Sequence, residues 1–283
     1  MMKKRRLLVF SVLFVFSVFS IFSTFSTFFV VHTYEKSEST QTIITESKQH
    51  LLDNVVAKQR NNRVNLLDSG SGISASENSR PPKDFIDVSS HNGYLSVEAY
   101  ETMKNYGITG VVVKLTEGDS YRNPLAPEQV ANAIQAGLKV SVYHYAWFNY
   151  AEDTEKEAHY LLAYLKELNL PYSTVVVNDS ENPQMNLARA TENAQVFSQA
   201  IQAAGFSQVV HYSNLSWFTN GTLDLDVLGK ENCWVAQWPQ NPSENELLHT
   251  EKAAWQWASD LYFPEFTEKQ FDINADYLGI FTK

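Results

Sequence analysis

From Asp84 onward, segments rich in valine and aromatic residues alternate with segments whose apolar residues recur at helical spacing. The strand-like segments are 84–90, 110–118, 139–148, 174–181 and 208–214. Between them lie helical segments at 96–107, 126–137, 153–168 and 188–205, the first, second and fourth of which close on Gly107, Gly137 and Gly205. Ala158, Leu161, Leu162, Leu165 and Leu168 share one face of the third helix, and Ala194, Phe197, Ile201 and Ala204 share one face of the fourth. Three further strand-like segments, 233–238, 253–259 and 271–277, follow with no long helix between them. Valine-rich strands separated by amphipathic helices bury both sheet faces, which predicts a parallel sheet covered by helices. Eight strands in about 200 residues predict an α/β, TIM-like barrel with an irregular second half.

In such a barrel, chemistry gathers at the carboxyl ends of the strands. The polar residues at those ends are Asp87, Ser89 and His91; Lys114 and Glu117; Tyr143, His144 and Tyr145; Asp179 and Glu181; and Tyr212. Gln237 and Trp238, Gln256 and Trp257, and Asp272 and Asn274 complete the ring. Asp179 and Glu181 stand two residues apart where the run Val175–Val177 stops. Residues at that spacing point to one face of a strand, roughly 6.6 Å apart along it. Acidic residues also end strands for no reason beyond solvation. Two carboxylates in an aromatic-lined cleft do not both ionise freely, so one retains a proton near neutral pH. A protonated acid beside an ionised one suits glycosidic bond cleavage. Tyr143, Tyr145, Trp147, Trp238 and Trp257 are the aromatics placed to stack on sugar faces, although core filling accounts for some of them.

The N-terminal segment sets the compartment. Lys3, Lys4, Arg5 and Arg6 precede an uncharged run, Leu7 to Val31. As a helix that run spans roughly 37 Å, enough to cross a bilayer. The cations orient it with the bulk of the chain exported. Its length and the lack of a small-residue cleavage site favour a membrane anchor over a cleaved signal peptide. Residues 32–83 are polar and read as an extracellular linker, which gives three parts: 1–31, 32–83 and a barrel at 84–283. Outside residues 1–31 the net charge is −14, since four of the 22 basic residues and none of the 32 acidic ones lie within them. Such a domain has no global attraction for phosphate backbones, so nucleic acid is an unexpected partner. The single cysteine, Cys233, sits in an apolar stretch and reads as a buried small hydrophobe.

The motifs in order resemble the glycoside hydrolase family 25 lysozymes, which are N-acetylmuramidases. The stretches that carry the resemblance are FIDVSSHNG from Phe85, KLTEG from Lys114, YHYAWF from Tyr143 and the D-x-E of Asp179 and Glu181. HYSN, WVAQW, WQW and FDIN follow in the family's order. The resemblance spans about residues 84 to 280 and implies a (β/α)5(β)3 barrel. It implies cleavage of the β-1,4 bond between N-acetylmuramic acid and N-acetylglucosamine in peptidoglycan. It assigns Glu181 as general acid, Asp179 as support for the transition state or the N-acetyl group, and Asp87 and Asp272 as acids that shape the site. Tyr143, Tyr145, Tyr212, Gln237, Trp238, Trp257, Lys114 and Glu117 are then the expected substrate contacts, in a monomer that needs no cofactor or metal. Asn178 and Ser180 depart from the pattern, which has apolar residues there, and alternation turns both toward the helix layer, where they need partners. Two other readings stay open: a zinc-dependent wall peptidase built on His91, His144 and His211, and a glycan-binding barrel without turnover.

Overall fold

The computed structural model describes residues 72–283. The expected membrane segment at 7–31 lies outside them. Among the described residues no helix is long and apolar enough to cross a membrane.

Eight strands close a barrel. β1 (Phe85–Val88), β2 (Gly110–Glu117), β3 (Lys139–Tyr145), β4 (Val176–Asp179), β5 (Val209–Asn214) and β6 (Cys233–Ala236) run parallel in sequence order. β7 (Ala254–Phe263) is parallel to β6, and β8 (Phe266–Asp276) turns back antiparallel to close on β1. The helices are α1 (Val97–Asn105), α2 (Ala126–Gln135), α3 (Ala151–Glu167), α4 (Ala190–Ala203), and the short α5 (Leu215–Thr219) and α6 (Leu225–Leu228). All eight strands and four long helices read from the sequence are present.

Alternation sorts the side chains. Phe85, Val112, Val177, Val210, Trp234 and Ala254 form the barrel interior, while Ile86, Val111, Val113, Val142, Val176 and Val235 face the helix layer. On that outer layer α3 contributes Ala158, Leu161 and Leu165, and α4 contributes Ala194, Phe197 and Ile201. Phe281 fills the floor at the amino ends of the strands, its ring 4.5 Å from Phe85 and 5.4 Å from Trp234.

Two differences from the sequence reading bear on function. The stretch up to Lys83, read as linker, packs on the barrel from Gly72: Ile73 and Ser74 form a short parallel strand beside Leu261 and Tyr262 of β7. β7 and β8 are also longer than expected. Their outer halves, Trp257–Phe271, run past the last residues paired with β6 and β1, Gln256 and Asp272. They form a hairpin that stands above the carboxyl ends of the strands. Pro264 and the charged Glu265, Glu268 and Lys269 disguise it as a loop in the sequence.

Candidate active site

β4 is four residues long, buried on both faces, and ends at Asp179. Backbone bonds from Ala146 N to Asp179 O (2.9 Å) and from Ser180 N to Tyr212 O (3.0 Å) carry the chain between β3 and β5 to Glu181. The acidic side chains converge. The Tyr143 phenol is pushed well above its ordinary pKa by burial, and then by the charges of Asp179, Asp87, Asp272 and Glu181. The Tyr212 phenol is raised by burial and by the same four acids. Asp87 and Asp272 are directly opposed on β1 and β8.

Burial and charge crowding act on the pair itself. Burial, with a smaller push from Asp87, raises the Glu181 carboxyl to about 7, while Lys114 pulls the other way. Asp179 is raised by burial and then by the charge of Glu181, with Lys114 again opposing. Its buried Oδ1 has no hydrogen-bond partner in the protein, so no hydrogen bond stabilises a negative charge on that atom. One proton shared between the two is therefore the favoured state near neutral pH.

Asp87 is held differently. Its Oδ2 accepts from Gln256 Nε2 (3.0 Å) and Asn274 Nδ2 (2.9 Å). Gln256 Oε1 in turn accepts from Tyr212 OH (2.9 Å) and Trp238 Nε1 (3.1 Å), and Asn274 Oδ1 from Trp234 Nε1 (2.9 Å). This net fixes Tyr212, Trp238 and Asp87 relative to one another. Gln256 and Asn274 stand at strand ends in the sequence, but nothing in it shows that they join these groups.

On the opposite wall Tyr143, Tyr145 and Trp147 line up at a spacing of two, each partly exposed. The Lys114 ammonium lies 4.7 Å from the Tyr145 ring centre and 2.6 Å from Glu117 Oε2. Glu117 Oε1 accepts from Trp147 Nε1 (3.0 Å), and Glu157 Oε2 accepts from Trp147 N and lies 2.9 Å from His144 Nε2. Lys114 is the cation that lowers both acids, so the double variant Lys114→Met/Glu117→Gln, which leaves no unpaired buried charge, should move the alkaline limb of the kcat/KM profile to higher pH. A profile that stays in place would show that the ammonium does not act on Glu181.

Asn178 and Ser180 do face the helix layer, and they are satisfied there. Ser180 Oγ donates to Asn178 Oδ1 (3.0 Å), and Asn178 Nδ2 lies 3.2 Å from His211 Nδ1. His211 Nε2 lies 3.1 Å from Ser198 Oγ on α4. Burial lowers His211 to about 4, so the ring is neutral: Nδ1 accepts from Asn178 and the Nε2 proton faces Ser198. The outward-facing positions behind the acids thus carry a connected polar chain that supplies the partners these two residues need.

Two expected contacts are elsewhere. Trp257 is fully buried on the outer face of β7, with its indole N–H bonded to Pro82 O (2.9 Å), and does not reach the cleft. Its neighbour Gln256 takes the inward position, as alternation requires. Gln237 follows the inward Ala236, and its Oε1 lies 2.6 Å from His249 Nε2 in the loop after β6. Trp238 is 55% exposed at the rim. Cys233 is buried, its thiol pushed up to about 12 by burial, and is unreactive.

The sequence profile of glycosyl hydrolases family 25 matches residues 86–266, which includes every acid of the cleft except Asp272. The chain belongs to this family. The chain is 32% identical over 163 residues to a lysozyme of Streptococcus phage Cp-9, covering 56% of this chain and 44% of the phage protein. The chain thus spans under half the length of the curated phage relatives it matches. The family 25 barrel superposes on the modular autolysin LytC from Streptococcus pneumoniae with a TM-score of 0.57 at 21% identity, covering 68% of this chain and 46% of that one. For a bacterial lysozyme from Streptomyces coelicolor the values are 0.52 and 20%, covering 73% and 98%. At these identities the superpositions establish the barrel.

Proposed function

We propose that this family 25 chain hydrolyses the β-1,4 bond between N-acetylmuramic acid and N-acetylglucosamine in peptidoglycan. The observation that carries the reading is the buried Asp179–Glu181 pair, with Glu181 raised to about 7 inside a family 25 barrel. Glu181, protonated, gives its proton to the glycosidic oxygen as the bond breaks. Asp179, sharing the same cleft, supports the positive charge that develops on the sugar or orients the substrate's N-acetyl group. Asp87 and Asp272 keep the site acidic, and Asp87 is locked by Gln256 and Asn274. Tyr143, Tyr145 and Tyr212, with Trp238 at the rim, offer ring faces to the sugars. Lys114 and Glu117 set the charge balance on one wall.

The substrate lies outside the cell, which agrees with export of the barrel and with residues 7–31 as its membrane anchor. The zinc reading finds less support. His144 and His211 lie in the outer layer with both ring nitrogens engaged, and among the described residues no group of three His, Cys, Asp or Glu is placed to hold a metal ion.

Incubating the chain with purified peptidoglycan and identifying the sugar at each new reducing end tests the proposal. New muramic acid ends are expected. Binding to the wall without new ends would replace the hydrolase with a glycan-binding barrel, and cleaved stem peptides would point to a peptidase.

A further inference from the structure

The twelve residues Gly72–Lys83 lie outside the family match, yet they pack against both the β7–β8 hairpin and the loop after β6. Ile73 and Ser74 add a strand to the projecting β7–β8 hairpin. Gly72 is pressed so close to it that a Cβ there would lie 3.0 Å from Asp260 O and 3.1 Å from both Gln270 Nε2 and Tyr262 Cδ1. From the hairpin the chain crosses to the loop after β6, which carries Trp238. Arg80 makes that crossing: its Nε bonds Glu77 Oε2 (2.8 Å) and its Nη1 bonds Pro242 O (3.0 Å). Glu244 N donates to Ser79 O (3.0 Å), a second tie to the same loop. Glu77 Oε1 accepts from Ser74 N (3.0 Å), and Lys83 Nζ donates to Ala75 O and Glu77 O, both at 2.7 Å.

A twelve-residue segment with no helix and a single large apolar side chain, Ile73, gains little from its own local structure. Its order comes from these ties: the bonds of Glu77 and Lys83 brace the segment internally, the Ile73–Ser74 strand joins the hairpin, and Ser79 and Arg80 join the loop after β6. The loop between β6 and β7 has no long helix to hold it. Its Trp238 is nevertheless the indole that bonds Gln256, the partner of Asp87. Holding the loop therefore holds the aromatic rim and, through Gln256, the orientation of a cleft acid.

We propose that residues 72–83 are a positioning strap for the substrate cleft, which fixes the Trp238 loop against the β7–β8 hairpin. Arg80 and Glu77 are its positioning residues. That the rim held in this way binds a glycan rests on the hydrolase reading above; that the strap holds Trp238 does not.

The test uses the full chain with Arg80→Ala, Arg80→Lys and Glu77→Gln. Acrylamide quenching of Trp238, isolated by difference from a Trp238→Phe counterpart, needs no substrate. Arg80→Ala should make Trp238 clearly more accessible to quencher, with Arg80→Lys restoring part of the protection. With solubilised peptidoglycan glycan strands, Arg80→Ala should raise KM about tenfold, the equivalent of one oriented contact, with kcat within about twofold. Trp238 quenching unchanged in Arg80→Ala and Glu77→Gln would overturn the strap. So would a fall in kcat that merely tracks the unfolded fraction measured by circular dichroism. A parent chain without turnover would defeat the hydrolase reading, while the quenching result would still decide the strap.

Discussion

Glu181→Gln is expected to lower kcat on peptidoglycan by about 10²–10⁴-fold while leaving glycan binding in place, the loss usual for a general acid. Gln keeps the shape of the side chain and has no proton to give. In the parent, activity should fall as pH rises through about 7, where Glu181 loses its proton. In the variant the residual rate should lack that limb. The same substitution has an opposite effect on stability. The folded-state pKa of Glu181 lies above its ordinary value of 4.5, so the native state holds this proton more tightly than the unfolded chain. Its contribution to stability is complete below about 4.5 and is lost as pH rises through about 7. Glu181→Gln removes that loss, so at pH 8 the inactive variant should melt above the parent, and at pH 4 the difference should shrink. Thermal melts at the two pH values, beside rates of reducing-end release, check both halves. A variant that keeps most of its activity would remove Glu181 from the mechanism. One that is inactive yet less stable at pH 8 would mean that the carboxylate is better accommodated than its burial implies.

Phe281→Ala is expected to destabilise the barrel by about 3–5 kcal/mol, a shift of roughly 10 °C or more in Tm for a domain of this size. The ring is fully buried and packs with Phe85 and Trp234 at the floor. The final turn is pinned there because Asp276 accepts from Ile280 N, Phe281 N and Thr282 Oγ1 at 3.0, 2.9 and 2.8 Å. Gly110 is the complementary half of the fit. A Cβ at that position would lie 2.2 Å from Phe281 O, which is backbone and has no room to withdraw. Gly110→Ala should therefore destabilise too, through a clash and not a cavity. Because the floor lies at the end opposite the acids, kcat measured well below the melting range should change little in either variant. Chemical denaturation followed by tryptophan fluorescence measures the stability. A Phe281→Ala barrel as stable as the parent would show that the ring's packing at the floor adds nothing to stability.

The barrel was legible because its pattern is local. β-branched runs separated by amphipathic helices state which segments are strands, and burial on both faces leaves a parallel sheet as the arrangement that covers them. The order of strands follows, since β1 to β6 pair in sequence order. The Asp179–Glu181 spacing also survives folding, because a period of two fixes which residues share a face. The same rule misplaced Trp257, one residue out of phase with the inward Gln256. In WQW every residue is of a kind that suits a cleft, so composition alone did not select the inward one.

What only the tertiary structure decided are the contacts between residues far apart in the chain. Asp87 meets Gln256 and Asn274, Ser180 reaches Ser198 through Asn178 and His211, and Arg80 reaches Pro242. None of these pairings has a sequence period, because each depends on how the closed barrel brings separate strands, helices and loops to one depth. The raised carboxyl of Glu181 belongs with them, since burial and the nearby charges of Lys114 and Asp87 exist only once the barrel has closed. The sequence by itself determined which residues are strand, helix and acid; closure of the sheet decided which of them meet and how they titrate.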